Sequence, residues 1–154
     1  MATEEEIQEA VVTAKKAGCK DMTLLHCISS YPAPIDQAHL RQIPAIAEKF
    51  KLPVGLSDHT MGTTAAVAGV ALGACVIEKH FTLSRADKGP DSEFSLEPQE
   101  LKRLCEDVKE AWCALGGPDF KREKAEESSK MFRRSLYFVK NLPRGHIIQE
   151  GDIS

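Results

Sequence analysis

Two histidines follow apolar segments that are typical of buried strands. His59 ends the segment PVGLSDH, and His80 lies near the end of CVIEKHFT. In parallel α/β folds, functional residues lie at the carboxyl ends of the strands. Because side chains alternate along a strand, Ser57 shares a face with His59, and Glu78 shares a face with His80. If this face points into a barrel, the two imidazoles converge at its mouth.

This pair of histidines suits a metal. Two neutral imidazoles, completed by oxygen atoms from water or substrate, fit a catalytic divalent ion such as Mn²⁺. The alternative is that both are hydrogen-bonded structural histidines, and two equivalent strand ends with polar neighbours leave both possibilities open. Among the other histidines, His26 lies inside an apolar segment and is expected to be buried, whereas His39 and His146 are expected at the surface.

Two further side chains could do chemistry. Asp91 lies in the polar loop before the last long helix and could bind a ligand hydroxyl, although an Asp in such a loop more often caps a turn. Arg85 in the same loop is expected to be solvated. Cys27 is a candidate nucleophile, but the sequence shows no base positioned to activate it, and buried cysteines are usually inert.

The elements that must position these residues alternate along the chain. The hydrophobic period switches repeatedly between that of a helix and that of a strand, which predicts a parallel sheet with right-handed crossovers. Pro44 is expected to kink or begin the second helix, and Trp112 is expected in the core. The predicted helices cover about 3–17, 40–50, 63–72 and 98–115, and the predicted strands cover 22–27, 53–59 and 75–82.

The last part of the chain changes character. Residues 118–130 are rich in Lys, Arg, Glu and Ser, with few apolar residues, which predicts a linker. A strand is predicted at 134–140, and a turn follows it before Ile147.

The composition excludes several classes of protein. The 20 Lys and Arg residues nearly balance the 23 Asp and Glu residues, so the net charge of −3 provides no basic surface for nucleic acid. The apolar runs are shorter than a membrane span, and the acidic opening MATEEEIQEA is unlike a signal peptide. Five cysteines without a C-x-x-C pair indicate reduced thiols. We therefore expect a cytoplasmic protein that binds neither nucleic acid nor membrane.

Four strings together resemble the sialic acid synthase family, which comprises N-acetylneuraminate, legionaminate and pseudaminate synthases. They are CISSYP at 27–32, GLSDHTMG at 55–62, VALGACVIEKHFTL at 70–83 and GPDSEFSLEP at 89–98. The strings AWCALG and FRRSLYFV look most like the pseudaminate branch. The tail KNLPRGHIIQEGDI resembles the opening of the SAF (antifreeze-like) domain that follows the barrel in these enzymes.

The resemblance implies an α/β fold. Residues 1–117 would form the C-terminal half of a TIM (β/α)₈ barrel with parallel strands, 118–130 a linker, and 131–154 the start of a truncated β-clip SAF domain. The implied enzyme is a carbon–carbon bond-forming transferase that condenses phosphoenolpyruvate with an N-acetylated amino sugar. It forms a nine-carbon nonulosonic acid and releases phosphate. Pseudaminic acid synthase is favoured, followed by N-acetylneuraminate synthase.

The resemblance also assigns roles to residues. His59 and His80, in SDH and EKH, match the family's ligands to a divalent metal, Mn²⁺ or Mg²⁺. Asp91 matches the acid that binds the acceptor sugar, and these three residues form the expected catalytic set. The metal would act as a Lewis acid on the sugar aldehyde.

Further positions match contacts with the substrates. Ser57 matches a contact with phosphoenolpyruvate, and Ser29 and Tyr31 match positions at the substrate site. Ile28 departs from the Thr that is usual after Cys27, which we expect to change local packing without loss of function.

The same resemblance implies that the chain is part of a larger enzyme. A complete barrel needs about 250 residues, so we expect no catalysis by the 154 residues alone. We expect the complete enzyme to be a homodimer, with a SAF-domain arginine reaching the site from the neighbouring subunit. The alternative is a non-catalytic truncated fragment that serves as a structural or partner-binding module. Another phosphoenolpyruvate aldol enzyme is disfavoured, because those use a Cys and carboxylates at the metal.

Overall fold

The computed structural model describes residues 1–154, which divide into two compact units, Met1–Gly116 and Gly117–Ser154. The first unit holds a three-stranded sheet in the order β1-β2-β3, with both pairs parallel. Helices precede, separate and follow the strands, so the α/β fold with parallel strands is confirmed. The strands are β1 (Leu24–Cys27), β2 (Val54–Asp58) and β3 (Ile77–Lys79), and the helices are α1 (Glu4–Lys16), α2 (Gln42–Phe50), α3 (Thr64–Ala71) and α4 (Pro98–Leu115).

Local sequence explains where the helices begin. Thr3 and Glu6 form a capping box at α1, in which each side chain bonds the backbone N–H of the other. Pro44 lies in the first turn of α2, where a missing N–H leaves no hydrogen bond unmade, so it begins the helix and does not kink it. Pro98 is the first residue of α4.

The core lies between the sheet and the helices. Every residue of the central strand β2 is buried, and Ile43 of α2 packs against Val54 and Leu56. Gly55 allows the three strands to approach closely, because a Cβ there would lie 2.6 Å from the Leu25 side chain and from the Val76 carbonyl. The small residues of α3 likewise permit close packing, with Ala66 buried against Leu96 and Leu104.

The third strand is shorter than predicted. β3 covers only Ile77–Lys79, and beyond it the backbone leaves β2. The His80 carbonyl accepts a hydrogen bond from the Leu96 N–H at 2.9 Å, and the Thr82 N–H donates to the Leu96 carbonyl at 2.9 Å. The loop that follows β3 is therefore tied back to the end of the strand.

Two predictions about side chains in this unit are wrong. Trp112 is 69% exposed, because the apolar stripe of α4 that packs against α3 consists of Leu101, Leu104 and Val108. Arg85 is not simply solvated, since its guanidinium binds both oxygens of the Glu100 carboxylate.

The second unit contains a 3₁₀ helix and no multi-residue strand. The helix, Lys124–Phe132, occupies most of the predicted linker 118–130, and a capping box between Glu123 and Glu126 begins it. The predicted strand 134–140 is reduced to one antiparallel bridge between Phe138 and Ile153, with backbone hydrogen bonds that join Tyr137 to Ser154 and Val139 to Asp152. The apolar residues around this bridge remain exposed. Assignment of 131–154 to a SAF domain stays a prediction.

A buried carboxylate organises the end of this unit. Asp152 accepts hydrogen bonds from Lys140 at 2.6 Å, from the Gln149 N–H at 2.7 Å and from His146 at 2.7 Å. These bonds, chiefly the one from Lys140, hold the pKa of Asp152 below its usual value.

None of the helices combines the length and the apolar composition that crossing a membrane requires.

The Arg85–Glu100 pair predicts an acid-sensitive contribution to stability. The Arg85 hydrogen bonds lower the pKa of Glu100 to about 2. A carboxylate whose pKa falls on folding stabilises the protein above its unfolded pKa of about 4.3, and this contribution disappears as the pH falls towards 2. Because the side chain is 41% exposed, solvent screening limits the contribution to about 1 kcal/mol.

We therefore expect Glu100→Gln to lower the free energy of unfolding by about 1 kcal/mol at neutral pH and by much less near pH 2. Urea titrations followed by circular dichroism at several pH values would measure this. Glu9→Gln, at an exposed position on α1, is the control. An equal loss at both pH extremes would contradict the assignment.

Candidate functional site

The two strand-end histidines lie side by side. His59 directly follows β2 and His80 directly follows β3, and the parallel register pairs the residues just before them, Asp58 and Lys79. Their ring centroids are 5.0 Å apart with an interplanar angle of 64°. His59 is 7% exposed and His80 is about one third exposed, so one ring is enclosed and the other faces the opening.

A backbone carbonyl fixes the orientation of His59. Its Nδ1 lies 3.0 Å from the Ile28 carbonyl oxygen, which can only accept, so Nδ1 carries the proton. In the neutral ring the lone pair then resides on Nε2. A metal-binding histidine is usually held in this way, with one ring nitrogen donating to a carbonyl and the other left to bind.

The same bond settles the chemistry of Cys27. Its Sγ lies 3.7 Å from Nδ1 of His59 and 3.8 Å from Oγ of Ser29. Because Nδ1 already holds a proton for the Ile28 carbonyl, it cannot take one from the thiol. The geometry therefore gives Cys27 no general base.

Two aromatic rings enclose the histidines. The Tyr31 ring centroid lies 4.4 Å from that of His59 and 5.8 Å from that of His80. Phe94, from the loop before α4, lies 5.0 Å from His80 and 5.9 Å from Tyr31. Tyr31 is 54% exposed, whereas Phe94 is buried, so Tyr31 forms the wall that faces solvent. Sequence reasoning missed Phe94, because only the Phe81–Leu96 bridge brings its loop back to the strand ends.

Asp91 reaches the same place from that loop. Its Oδ2 lies 3.7 Å from Nδ1 of His80, and its side chain is about half exposed. Its backbone stabilises the loop, because the Asp91 carbonyl accepts a hydrogen bond from Oγ of Ser95 at 2.7 Å. The residue has a positive φ of 61°, a conformation that Asp tolerates better than most residues. The carboxylate is thus available to a ligand next to His80.

Ser57 and Ser29 lie at the edges of this cluster. Ser57 is buried and its hydroxyl donates to Oε1 of Glu78 at 2.6 Å, across β2 and β3. Ser57 must exchange this bond to donate to a substrate. Ser29 is exposed, and its nearest polar neighbour in the site is Cys27.

Directly behind the histidines lies an ion pair that sequence reasoning missed. Nζ of Lys79 lies 2.8 Å from Oδ2 of Asp58, and the two side chains are 3% and 1% exposed. The signal was present in the sequence as opposite charges immediately before the two histidines. It could be used only once the register of β2 and β3 was known.

The remaining histidines lie outside the cluster. His26 is buried and its Nε2 donates to the Ala38 carbonyl at 2.8 Å, which is a structural role. His39 is exposed, and His146 bonds Asp152 in the second unit.

The donor set fits a metal with few protein ligands. The structure contains no group of three or more His, Cys, Asp or Glu side chains arranged to hold one ion. His59 offers Nε2 and His80 lies beside it, so two nitrogens could be completed by oxygen atoms of water or substrate. Such a mixed set is compatible with Mn²⁺ or Mg²⁺.

Fold and site together define a class: a parallel α/β protein with its polar groups at the carboxyl ends of the strands, where enzymes of this architecture act. The chain belongs to the NeuB family, whose sequence model matches residues 1–119. This match confirms the family resemblance found in the sequence.

Individual relatives carry names within this family. The chain is 45% identical over 157 residues to the N,N'-diacetyllegionaminic acid synthase of Campylobacter jejuni serotype O:2, with 100% of this chain and 47% of the relative covered. It is 39% identical over 153 residues to the pseudaminic acid synthase of Campylobacter jejuni serotype O:23/36, with 99% and 45% covered. A crystal structure of N-acetylneuraminic acid synthetase from Leptospira borgpetersenii, in complex with citrate, matches with a TM-score of 0.77 and 36% identity over 86% of this chain and 46% of that chain. The chain thus spans slightly less than half the length of these relatives.

The hydrogen bonds predict opposite tautomers for two buried histidines. Neutral His59 should carry its proton on Nδ1, and neutral His26 should carry its proton on Nε2. Long-range ¹H–¹⁵N NMR at about pH 8, above the usual histidine pKa, would distinguish them, with His26 as the internal control. A proton on Nε2 of His59 would leave that nitrogen without a lone pair for metal and would contradict the site.

Proposed function

We propose that this chain supplies the metal-binding end of a nonulosonic acid synthase. The reaction joins the methylene carbon of phosphoenolpyruvate to the aldehyde carbon of an N-acetylated amino sugar, consumes one water and releases inorganic phosphate. The observation that carries the proposal is the convergence of His59 and His80 beside Asp91 and Tyr31 at the strand ends, in a chain of the NeuB family.

The two histidines would hold the divalent ion, Mn²⁺ or Mg²⁺. When bound, such an ion polarises a carbonyl and makes its carbon more electrophilic. His59 contributes a ring whose orientation is set before any ligand arrives, because the Ile28 carbonyl holds its Nδ1 proton. His80 contributes the more accessible ring.

The surrounding side chains would orient the sugar. The Asp91 carboxylate can accept hydrogen bonds from sugar hydroxyls next to His80. Tyr31 and Phe94 offer ring faces that limit the space around the two imidazoles. The carboxylate and the two rings would thus speed the reaction by holding the reacting atoms in a productive arrangement.

Ser57 would contact phosphoenolpyruvate. Its hydroxyl lies on the same face as His59 and can turn from Glu78 to a substrate oxygen. Ser29 lies beside Cys27 just after the end of β1. The groups that bind the phosphate would come from the rest of the enzyme, which we propose to act as a homodimer.

The acceptor sugar is the finer part of the proposal. The strings AWCALG and FRRSLYFV favour the pseudaminate branch, whereas the identity is 45% to a legionaminic acid synthase and 39% to a pseudaminic acid synthase. We propose pseudaminic acid as the product to test first. The acceptors of the legionaminate and N-acetylneuraminate synthases should be assayed beside it.

A complementation assay would test the activity. The chain is mixed or co-expressed with the part of the Campylobacter jejuni legionaminic acid synthase that the match leaves uncovered, and phosphate release is measured with Mn²⁺, phosphoenolpyruvate and each sugar. We expect product from the mixture with one of the sugars and none from the 154-residue chain alone. His59→Ala and His80→Ala should each lower the rate by about 100-fold or more, because metal polarisation contributes several kcal/mol.

His39→Asn, at an exposed position outside the site, is the control and should leave the rate unchanged, because Asn tolerates the positive φ of 44° at this position. Unchanged turnover in a His59→Ala/His80→Ala variant would refute the metal site. No product with any sugar would favour the non-catalytic alternative.

Asp91 provides a separate prediction. If its carboxylate binds the sugar, Asp91→Ala should raise KM for the sugar by about tenfold or more, since a hydrogen bond to a charged group is lost. KM for phosphoenolpyruvate should change much less. Asp87→Ala, at an exposed position in the same loop, serves as the control. Equal increases in both KM values would indicate that Asp91 only shapes the loop.

A further inference from the structure

Asp58 and Lys79 form an ion pair that spans β2 and β3 behind the candidate site. They are direct partners in the parallel register, and Nζ of Lys79 lies 2.8 Å from Oδ2 of Asp58. Both side chains are at least 97% buried. Each residue immediately precedes one of the two histidines, so the pair joins the two strands at the last point before the site.

The same two side chains also bind the residue on the other side of His59. Oδ1 of Asp58 accepts from the Thr60 N–H at 2.9 Å and from its hydroxyl at 2.8 Å. Nζ of Lys79 donates to the Thr60 carbonyl as well. The residues before and after His59 are therefore both fixed by this network. Lys79, which takes part in it, is the residue directly before His80.

Stability alone is a weak reason for this arrangement. Removing two charges from water is costly, and a buried ion pair can often be replaced by apolar residues with no loss of stability. What an apolar pair cannot reproduce is the set of three bonds to Thr60. The network has every buried polar atom satisfied, which favours a single arrangement of the strand ends.

We propose that Asp58 and Lys79 are positioning residues that set the relative placement of His59 and His80 for a divalent cation. The inference rests on the proposed metal-binding function. The ion pair is distinct from the Ser57–Glu78 hydrogen bond, which joins the preceding pair of residues in the register and lies on the same face as the histidines. The ion pair touches neither metal nor substrate and acts only through the backbone of the two histidines.

The test separates stability from positioning. The double variant Asp58→Leu/Lys79→Met replaces the ion pair with apolar side chains of similar size. Its matched control is Glu4→Leu/Lys49→Met, which removes an ion pair whose side chains are about half exposed. Both variants and the wild-type chain are compared by thermal unfolding, by Mn²⁺ titration followed by the electron paramagnetic resonance of free Mn²⁺, and by NMR of the metal-free His59 ring.

We expect the double variant to unfold at a lower temperature than wild type, because the buried polar groups of Thr60 lose their partners. Below that midpoint, where it is folded, it should bind Mn²⁺ about 10- to 100-fold more weakly, the usual cost of losing a group that orients a ligand. The His59 ring should lose its single Nδ1-protonated form in the metal-free protein. The control should match wild type in all three measurements. Wild-type Mn²⁺ affinity together with an unchanged His59 signal in the folded double variant would overturn the proposal.

A milder variant covers the case in which the double variant does not fold. Thr60→Val removes one hydrogen bond to Asp58 and keeps the ion pair, and it should weaken Mn²⁺ binding about threefold, as expected for one hydrogen bond. Unchanged affinity in Thr60→Val would then overturn the proposal. If the wild-type chain binds Mn²⁺ no better than His59→Ala, the proposed metal site is wrong, and the positioning role is wrong with it. If the wild-type chain binds Mn²⁺ and the ion-pair variants bind it equally well, only the positioning role is wrong.

Discussion

The parallel register between β2 and β3 is the constraint on which the site depends. It places Ser57 opposite Glu78 and Asp58 opposite Lys79, so the next residue on each strand is a histidine. A slip of one residue would turn every side chain of one strand to the opposite face. The register thus decides at once which polar pair faces the site, which pair is buried behind it, and how far apart the two imidazoles lie.

The rest of the first unit holds this register in place. Gly55 lets β2 lie close to its neighbours, and the apolar residues of α2 and α3 cover the sheet. The loop after β3 is tied to the His80 carbonyl through Leu96, and Arg85 attaches the start of that loop to α4 through Glu100. These two attachments bring Phe94 and Asp91 beside His80. A loop residue can therefore act in the site with the precision of a strand residue.

Much of this arrangement could be predicted from the sequence, because it follows from local patterns. The periodicity located the three strands, and the parallel fold followed from their alternation with helices. Trp112 and Arg85 could not be placed in this way, since their surroundings depend on which face of α4 packs and on a partner fifteen residues away. The strand predicted at 134–140 is reduced to one antiparallel bridge for a related reason: its apolar residues have β propensity but pair only with residues 152–154, and they remain exposed.

The charges around the site bear on the proposed function. The face that carries the histidines offers two imidazole rings, a hydroxyl and the carboxylates of Asp91 and Glu78. Lys79 is buried behind this face and paired with Asp58. If phosphoenolpyruvate is the substrate, as proposed, its phosphate and carboxylate come to lie beside Asp91 and Glu78, which requires compensating positive charge. Apart from a divalent ion between the histidines, we expect that charge to come from lysine or arginine residues outside this unit, so that the sugar and the phosphate are held by different parts of the protein.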